Sequence, residues 1–192
     1  MALIETGMAE GRRTAITPTP GLASLAAAVT DACEGPAIAM GERIVVSLRT
    51  AAADPGLLTA SQRHPRDGGY ARHLLYADPK GRFSILSLVW GGGQFSPAHA
   101  HYTWCAYAVQ SGELVETAYE FDRRLGRAHM SSTAKRRAGE GCFSHAGLED
   151  IHRLGNSEAT AAVSIHVYGV DGARVATHVN RIVDIDFQEG AA

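Results

Sequence analysis

Gly93-Gln-Phe-Ser-Pro-Ala-His99-Ala-His101-Tyr-Thr-Trp-Cys105, running on to Gly112, is the stretch that decides the fold. His99 and His101 are two apart, so on an extended strand both imidazoles leave the same face. Two neutral imidazoles converging on one point are the start of a transition-metal site. A lone His-x-His is more often a pair of partly exposed strand histidines. Here the flanking glycines, and His152-Arg-Leu-Gly-Asn156 downstream, make the metal the stronger reading. A third donor must come from another strand, because three ligands have to converge from different sides. His152 is the expected third ligand; His64, His73, His129, His145 and His178 have weaker claims.

The spacing is Gly, five residues, His-x-His, three residues, Cys, six residues, Gly. It resembles the first cupin motif, in which the place held here by Cys105 is normally a metal-binding Glu. His152 and Asn156 are similar to the His-x3-Asn close of the second cupin motif. The chain thus offers three histidines and no carboxylate as ligands. A neutral three-histidine face leaves the ion its full positive charge, which suits a substrate that brings its own anion, such as a thiolate. It also leaves three open positions.

At 192 residues, with 45% hydrophobic and 20% charged residues, the chain suits one soluble domain with a sizeable core. A net charge of -2 gives no field to recruit nucleic acid or an anionic membrane. No apolar run approaches the roughly 20 residues that span a bilayer, and Met1 to Gly11 lacks the apolar centre of a secretory signal. Cys33, Cys105 and Cys142 are odd in number and widely spaced, which suggests a reducing cytoplasm rather than a disulfide scaffold. The expectation is a cytoplasmic protein.

Residues 1–16 show no clear period and read as an N-terminal arm; residues 17–192 read as a single domain. Leu22, Leu25, Ala26 and Val29 recur at helical spacing, predicting a helix to about Cys33 that Glu34-Gly-Pro36 breaks. A second helix is predicted over 38–53, burying Ile44, Val45, Leu48 and Ala52, with a connecting loop over 54–69. Beyond Tyr70 short β-prone runs follow: 70–77, 82–90, 99–110, 113–121, 141–144, 151–154, 160–168 and 175–186, with Gly and Pro turns between several of them. The expected fold is an all-β core, a cupin (jelly-roll) β-barrel over 70–192, under a small helical cap over 17–69.

A second constellation is Ser164-Ile-His166-Val-Tyr168. Alternation puts Ser, His and Tyr on one strand face and Ile165 and Val167 on the other. Polar side chains facing into a barrel are costly unless they bond one another or a ligand, so a Ser164–His166–Tyr168 relay is expected. Its bland alternative is a polar face open to solvent, which the apolar partners disfavour.

Residues 70 to 170 together resemble the cysteine dioxygenase family of thiol dioxygenases. The resemblance rests on Tyr70-Ala-Arg72, on His99-Ala-His101 with Cys105, on Ile151-His-Arg-Leu-Gly-Asn156 and on Ser164-Ile-His166-Val-Tyr168. It implies one Fe(II) per chain held by His99, His101 and His152, and oxidation of a small thiol by O2 to its sulfinic acid. Ser164, His166 and Tyr168 would be the catalytic relay. Some members carry a thioether between a cysteine and the catalytic tyrosine; Cys105 holds that cysteine's position, and its other reading is a small core residue. In cysteine-type members an arginine at the place of Arg72 binds the substrate carboxylate, with Tyr70 beside it. The 3-mercaptopropionate enzymes use a later arginine, in the region of Arg174, and share the short loop after His101. L-Cysteine is therefore the favoured substrate, then 3-mercaptopropionate, then mercaptosuccinate if Arg174 also faces the pocket. The rivals are a non-catalytic cupin that binds a small carboxylate and a cupin enzyme using Mn, Ni or Zn. No nucleic-acid or membrane partner is expected, and the oligomeric state is left open.

Overall fold

The structure, a computed structural model, describes residues 18–186, so the arm assigned to residues 1–16 lies outside them. Helix α1 (Pro20–Glu34) starts on Thr19, whose hydroxyl accepts from the Leu22 amide, with proline in the first turn. Helix α2 is Ala37–Ala52. Ile44, Leu48 and Ala52 are buried as expected, with Ala51 beside them, while Val45 is only half-buried. The loop 54–69 holds one short 3-10 turn at Ser61–Arg63.

Ten strands follow: β1 (Ala71–Ala77), β2 (Ser84–Trp90), β3 (His99–His101), β4 (Cys105–Ser111), β5 (Glu113–Asp122), β6 (Arg127–Arg137), β7 (Gly141–Ser144), β8 (Gly147–Gly155), β9 (Ala162–Tyr168) and β10 (Asn180–Ile182). They form two antiparallel five-stranded sheets, ordered β1-β2-β9-β4-β7 and β10-β3-β8-β5-β6. This is the expected cupin architecture with its helical cap, built as two sheets; among the described residues no ladder joins them into a closed barrel.

The central strands of the first sheet, β2, β9 and β4, are covered on both faces. Ile85, Val89, Ala106, Ala108, Ile165 and Val167 pack with the helices. The alternate positions, Leu86, Leu88, Trp90, Cys105, Tyr107 and Tyr168, face the interior between the sheets. Ala106 and Ala108 are small where α2 crosses β4, which lets the helix lie close to the sheet. Arg82 locks cap to sheet: its Nε and Nη2 donate to the Asp78 carboxylate at 2.7 and 2.9 Å, and its Nη1 to Glu34 Oε1 of α1 at 2.7 Å.

Three strand expectations are corrected. The single run 99–110 is two strands in different sheets, because the chain bends at Tyr102–Trp104 to cross from one sheet to the other. Strand β6 had no counterpart among the predicted runs: it is an exposed edge strand, so it shows no apolar alternation and is held by its ladder to β5. Of 175–186 only Asn180–Ile182 belongs to a named strand, since Asp171 caps a 3-10 turn at Gly172–Arg174 and a loop follows. Between β4 and β5 the chain reverses at Gly112, whose φ of 76° is in the left-handed region that glycine tolerates.

Candidate metal centre

His99 and His101 lie on β3 with both side chains inward, and His152 on β8 is the register partner of His99. The ring centroids are 5.2 Å apart for His99 and His101, 4.7 Å for His99 and His152, and 5.0 Å for His101 and His152. One nitrogen from each lies within 4.8 Å of the others, and all three residues are buried. His99 Nδ1 is 3.0 Å from the Pro97 carbonyl, which can only accept, so Nδ1 carries the hydrogen and Nε2 is the free donor atom. His152 Nδ1 is 2.7 Å from Glu116 Oε1, which frees its Nε2 in the same way. Both His101 nitrogens are buried without a well-formed hydrogen bond, although the Asp150 backbone acts on the ring. Burial and the neighbouring imidazoles hold His99 well below the usual histidine range, and His101 is lowered to about 3. Three imidazoles that can each turn a nitrogen to one point at ligating range fit a transition-metal ion.

The relay faces this triad from the first sheet. Ser164 Oγ is 2.9 Å from His166 Nε2, and His166 Nδ1 is 3.1 Å from the Tyr168 hydroxyl. Trp90 of β2 extends it, its indole N–H donating to Ser164 Oγ at 2.9 Å. All of them are buried, so the solvent-open alternative does not hold. Burial keeps His166 neutral, far below its ordinary range, and raises the Tyr168 phenol. Tyr107 stacks on His166 with centroids 5.2 Å apart and fixes the ring plane. Cys105 is the register partner of Tyr168 on adjacent strands, so their side chains leave the same face side by side.

Between triad and relay lies a chamber of about 10 Å³, lined by the three histidines, Cys105, His166 and Tyr168 among others. That is room for about one water. A larger outer cavity of about 450 Å³ includes Tyr70, Arg72, Phe95, Pro97 and Val179 in its lining. Tyr70 and Asn180 line both spaces and form the neck between them. Tyr70 stacks on Trp90 at 4.3 Å, which ties the neck to the relay. Arg72 is buried, its Nη2 donates to the Val175 carbonyl at 3.4 Å, and its Nε has no partner. Its guanidinium also lies 5.8 Å from the centroid of the Tyr168 ring, and with no carboxylate bonded to it, it is a buried cation that an anion would offset.

Not every expected site residue is here. Arg174 is exposed on its 3-10 turn and lines neither space, and its backbone carbonyl accepts from the Thr177 and His178 amides. Asn156 is fully buried but structural: its amide donates to the Trp90 and Thr160 carbonyls and accepts from the Glu158 amide. Glu116 and Trp90 are the functional candidates that sequence reasoning missed. Glu116 shares the inward face of β5 with Leu114, two residues earlier, and a carboxylate at an inward strand position was the available signal. As expected, no carboxylate stands among the clustered metal-binding groups; one, Glu116, stands directly behind His152.

Among solved structures, the chain is similar to a protein from Thermus thermophilus that is 19% identical, with 59% of this chain and 96% of that one covered at a TM-score of 0.46. A cupin superfamily protein from Desulfitobacterium hafniense is 16% identical, with 62% and 94% covered at 0.45. A Klebsiella pneumoniae protein with a double-stranded β-helix domain has the same four values. The family model for cysteine dioxygenase type I matches residues 64–174, more than half of the chain. That span holds the triad, the relay and Arg72, and the chain belongs to the cysteine dioxygenase type I family.

Proposed function

We propose that the protein is a non-haem iron thiol dioxygenase that converts a small thiol carboxylic acid, L-cysteine in the first place, to its sulfinic acid with O2. One Fe(II) per chain would be held by His99, His101 and His152. The observation that carries this reading is the convergence, on one water-sized chamber, of three free imidazole nitrogens and a phenol oriented by a histidine. Bound iron would supply a site at which thiolate and dioxygen meet and the spin barrier between them is lifted.

The rest is the work of the chain's own side chains. Trp90 N–H can only donate, so Ser164 Oγ accepts it and keeps a second lone pair and its own O–H, one of which meets His166 Nε2. With the Ser164 O–H turned to Nε2, His166, neutral, would carry its hydrogen on Nδ1 and donate to the Tyr168 oxygen. In that tautomer the phenol proton of Tyr168 is free to point into the chamber, where it would hydrogen-bond the reacting oxygen atoms. Arg72, with Tyr70 beside it, would clamp the substrate carboxylate as the molecule passes the neck. The register of Cys105 against Tyr168 supports a thioether between them, which intact mass would detect as the loss of two hydrogens.

Arg72 supports a thiol acid over a simple thiol, and the exposure of Arg174 takes away the second arginine that mercaptosuccinate would want. The proposed compartment is the cytoplasm, and no helix among the described residues is long and apolar enough to cross a membrane. Iron analysis together with oxygen uptake on cysteine, 3-mercaptopropionate, mercaptosuccinate and cysteamine tests the reading. Stoichiometric iron with uptake on cysteine is expected. Bound carboxylate with no uptake on any thiol would mean a non-catalytic binder instead.

A further inference from the structure

We infer that Glu116, braced by Arg136, is a positioning residue that fixes His152 toward the metal and makes the three histidines electronically unequal. This rests on the metal reading above. Glu116 Oε1 lies 2.7 Å from His152 Nδ1, and Oε2 accepts from Arg136 Nε at 2.7 Å. An ionised carboxylate only accepts, so the hydrogen of His152 is held on Nδ1 and its Nε2 lone pair is turned to His99 and His101.

The three imidazoles then differ in what stands behind them. His152 is backed by an anion, His99 by the neutral Pro97 carbonyl, and His101 by no more than the Asp150 backbone, short of a well-formed hydrogen bond. A hydrogen-bonded anion makes an imidazole a stronger electron donor. The triad therefore borrows a negative charge at one remove, although no carboxylate is among the ligands. Arg136 takes up part of that charge, but it lies on the edge strand β6 and its side chain is about one-third exposed, so solvent screens it. Glu116 itself is buried.

The fold alone does not ask for this arrangement. Leu114, two residues earlier at the equivalent inward position of β5, is fully buried and apolar. A buried ion pair is a weak source of stability compared with an apolar residue of similar size. The carboxylate is better explained by what it does to His152.

The experiment compares wild type, Glu116→Gln and Arg136→Gln as purified full-length chains. Fe(II) and Co(II) affinities are measured anaerobically by competition with a coloured chelator, and the Fe(III)/Fe(II) midpoint potential by redox titration. Circular dichroism and melting of the metal-free proteins show whether each variant folds. Glu116→Gln keeps an acceptor for the Nδ1 hydrogen but removes the charge. Its metal affinity should fall about 10- to 100-fold. Ferric iron should lose more than ferrous, so the potential should rise, by about 59 mV for each tenfold difference between them. Arg136→Gln releases the Glu116 charge toward His152 and should lower the potential. A folded Glu116→Gln with wild-type affinity and potential overturns the inference, as does an Arg136→Gln shift in the upward direction. If Glu116→Gln does not fold, the sign of the Arg136→Gln shift decides alone. Wild type that takes up neither ion sinks the metal reading itself, a result distinct from wild type that binds while Glu116→Gln binds equally well.

Discussion

The two sheets contribute to one chamber in different ways. In the first, β1-β2-β9-β4-β7, the central strands β2, β9 and β4 are largely buried on both faces, and the inner face carries the organic half of the site: Trp90, Ser164, His166 and Tyr168, each bonded to the next. The second, β10-β3-β8-β5-β6, carries the three imidazoles and Glu116 on its inner face while its edge strand β6 lies open to solvent. A chain of side-chain hydrogen bonds needs fixed donors and acceptors, and a strand clamped between helices and core supplies them. A metal site needs free nitrogens that an ion will later hold, so it tolerates atoms without a well-formed hydrogen bond, such as those of His101. The difference teaches that the relay is held by hydrogen bonds among the chain's own side chains, whereas the triad leaves nitrogens that fit an ion.

That contrast breaks down first, if it breaks, at the triad. His152→Ala should lose nearly all bound iron and all oxygen uptake while keeping a cooperative melt, because it removes one of three ligands and no apolar packing. Metal analysis and melting check it; full iron in the variant would show that the third ligand lies elsewhere.

Stability should separate the sheets next. Ile165→Ala, fully buried under the helices, should cost about 2–5 kcal/mol. Met130→Ala on the open β6 should stay within about 0.5 kcal/mol. Urea unfolding of both variants measures the difference, and equal costs would mean that the second sheet is no looser than the first.

At the mouth, Arg72→Gln should weaken kcat/KM for the preferred thiol acid by roughly 2–4 kcal/mol, since a charge-assisted pair is lost and an anion left unpaired. Cysteamine, which has no carboxylate, should be nearly spared. An equal loss on cysteamine would assign Arg72 to the fold rather than to substrate.

In the relay, Tyr168→Phe should keep its iron and lose about 10²-fold in kcat, the scale of one positioned donor. Unchanged turnover by the Phe variant would remove the relay from the reaction.

The smallest effect belongs to the cap. Arg82 lowers the Asp78 carboxyl from 3.8 to about 2, chiefly by side-chain hydrogen bonds. A lowered native pKa means stability that is present above about pH 4 and lost as the pH falls through about 2. Asp78→Asn should therefore melt lower than wild type at pH 6, by about 1–2 kcal/mol given that Arg82 is partly exposed. The gap should shrink below pH 3. A gap that is constant with pH would deny the ion pair its role.

How much of this was legible follows from how local each feature is. The helices were legible because Leu22, Leu25 and Val29, then Ile44 and Leu48, repeat at helical spacing and do pack on the sheet. The relay was legible because three polar residues alternate with Ile165 and Val167 on a single strand. Strand β6 was not, because an edge strand in water has no need of an apolar pattern. Residues 99–110 read as one strand because alternation continues through the bend, and only the sheets show the crossing.

The sequence by itself determined which residues could share a face: His99 with His101, Ser164 with His166 and Tyr168, Leu114 with Glu116. A period of two is a property of the extended backbone and holds wherever the strand is placed. Tertiary structure alone decided which of those faces meet. It brought His152 level with His99, set Cys105 against Tyr168, put Trp90 behind Ser164 and Glu116 behind His152, and turned Arg72 inward while leaving Arg174 in solvent. Pairings between strands distant in sequence depend on register, and the register here is set by which face of each strand the core must bury.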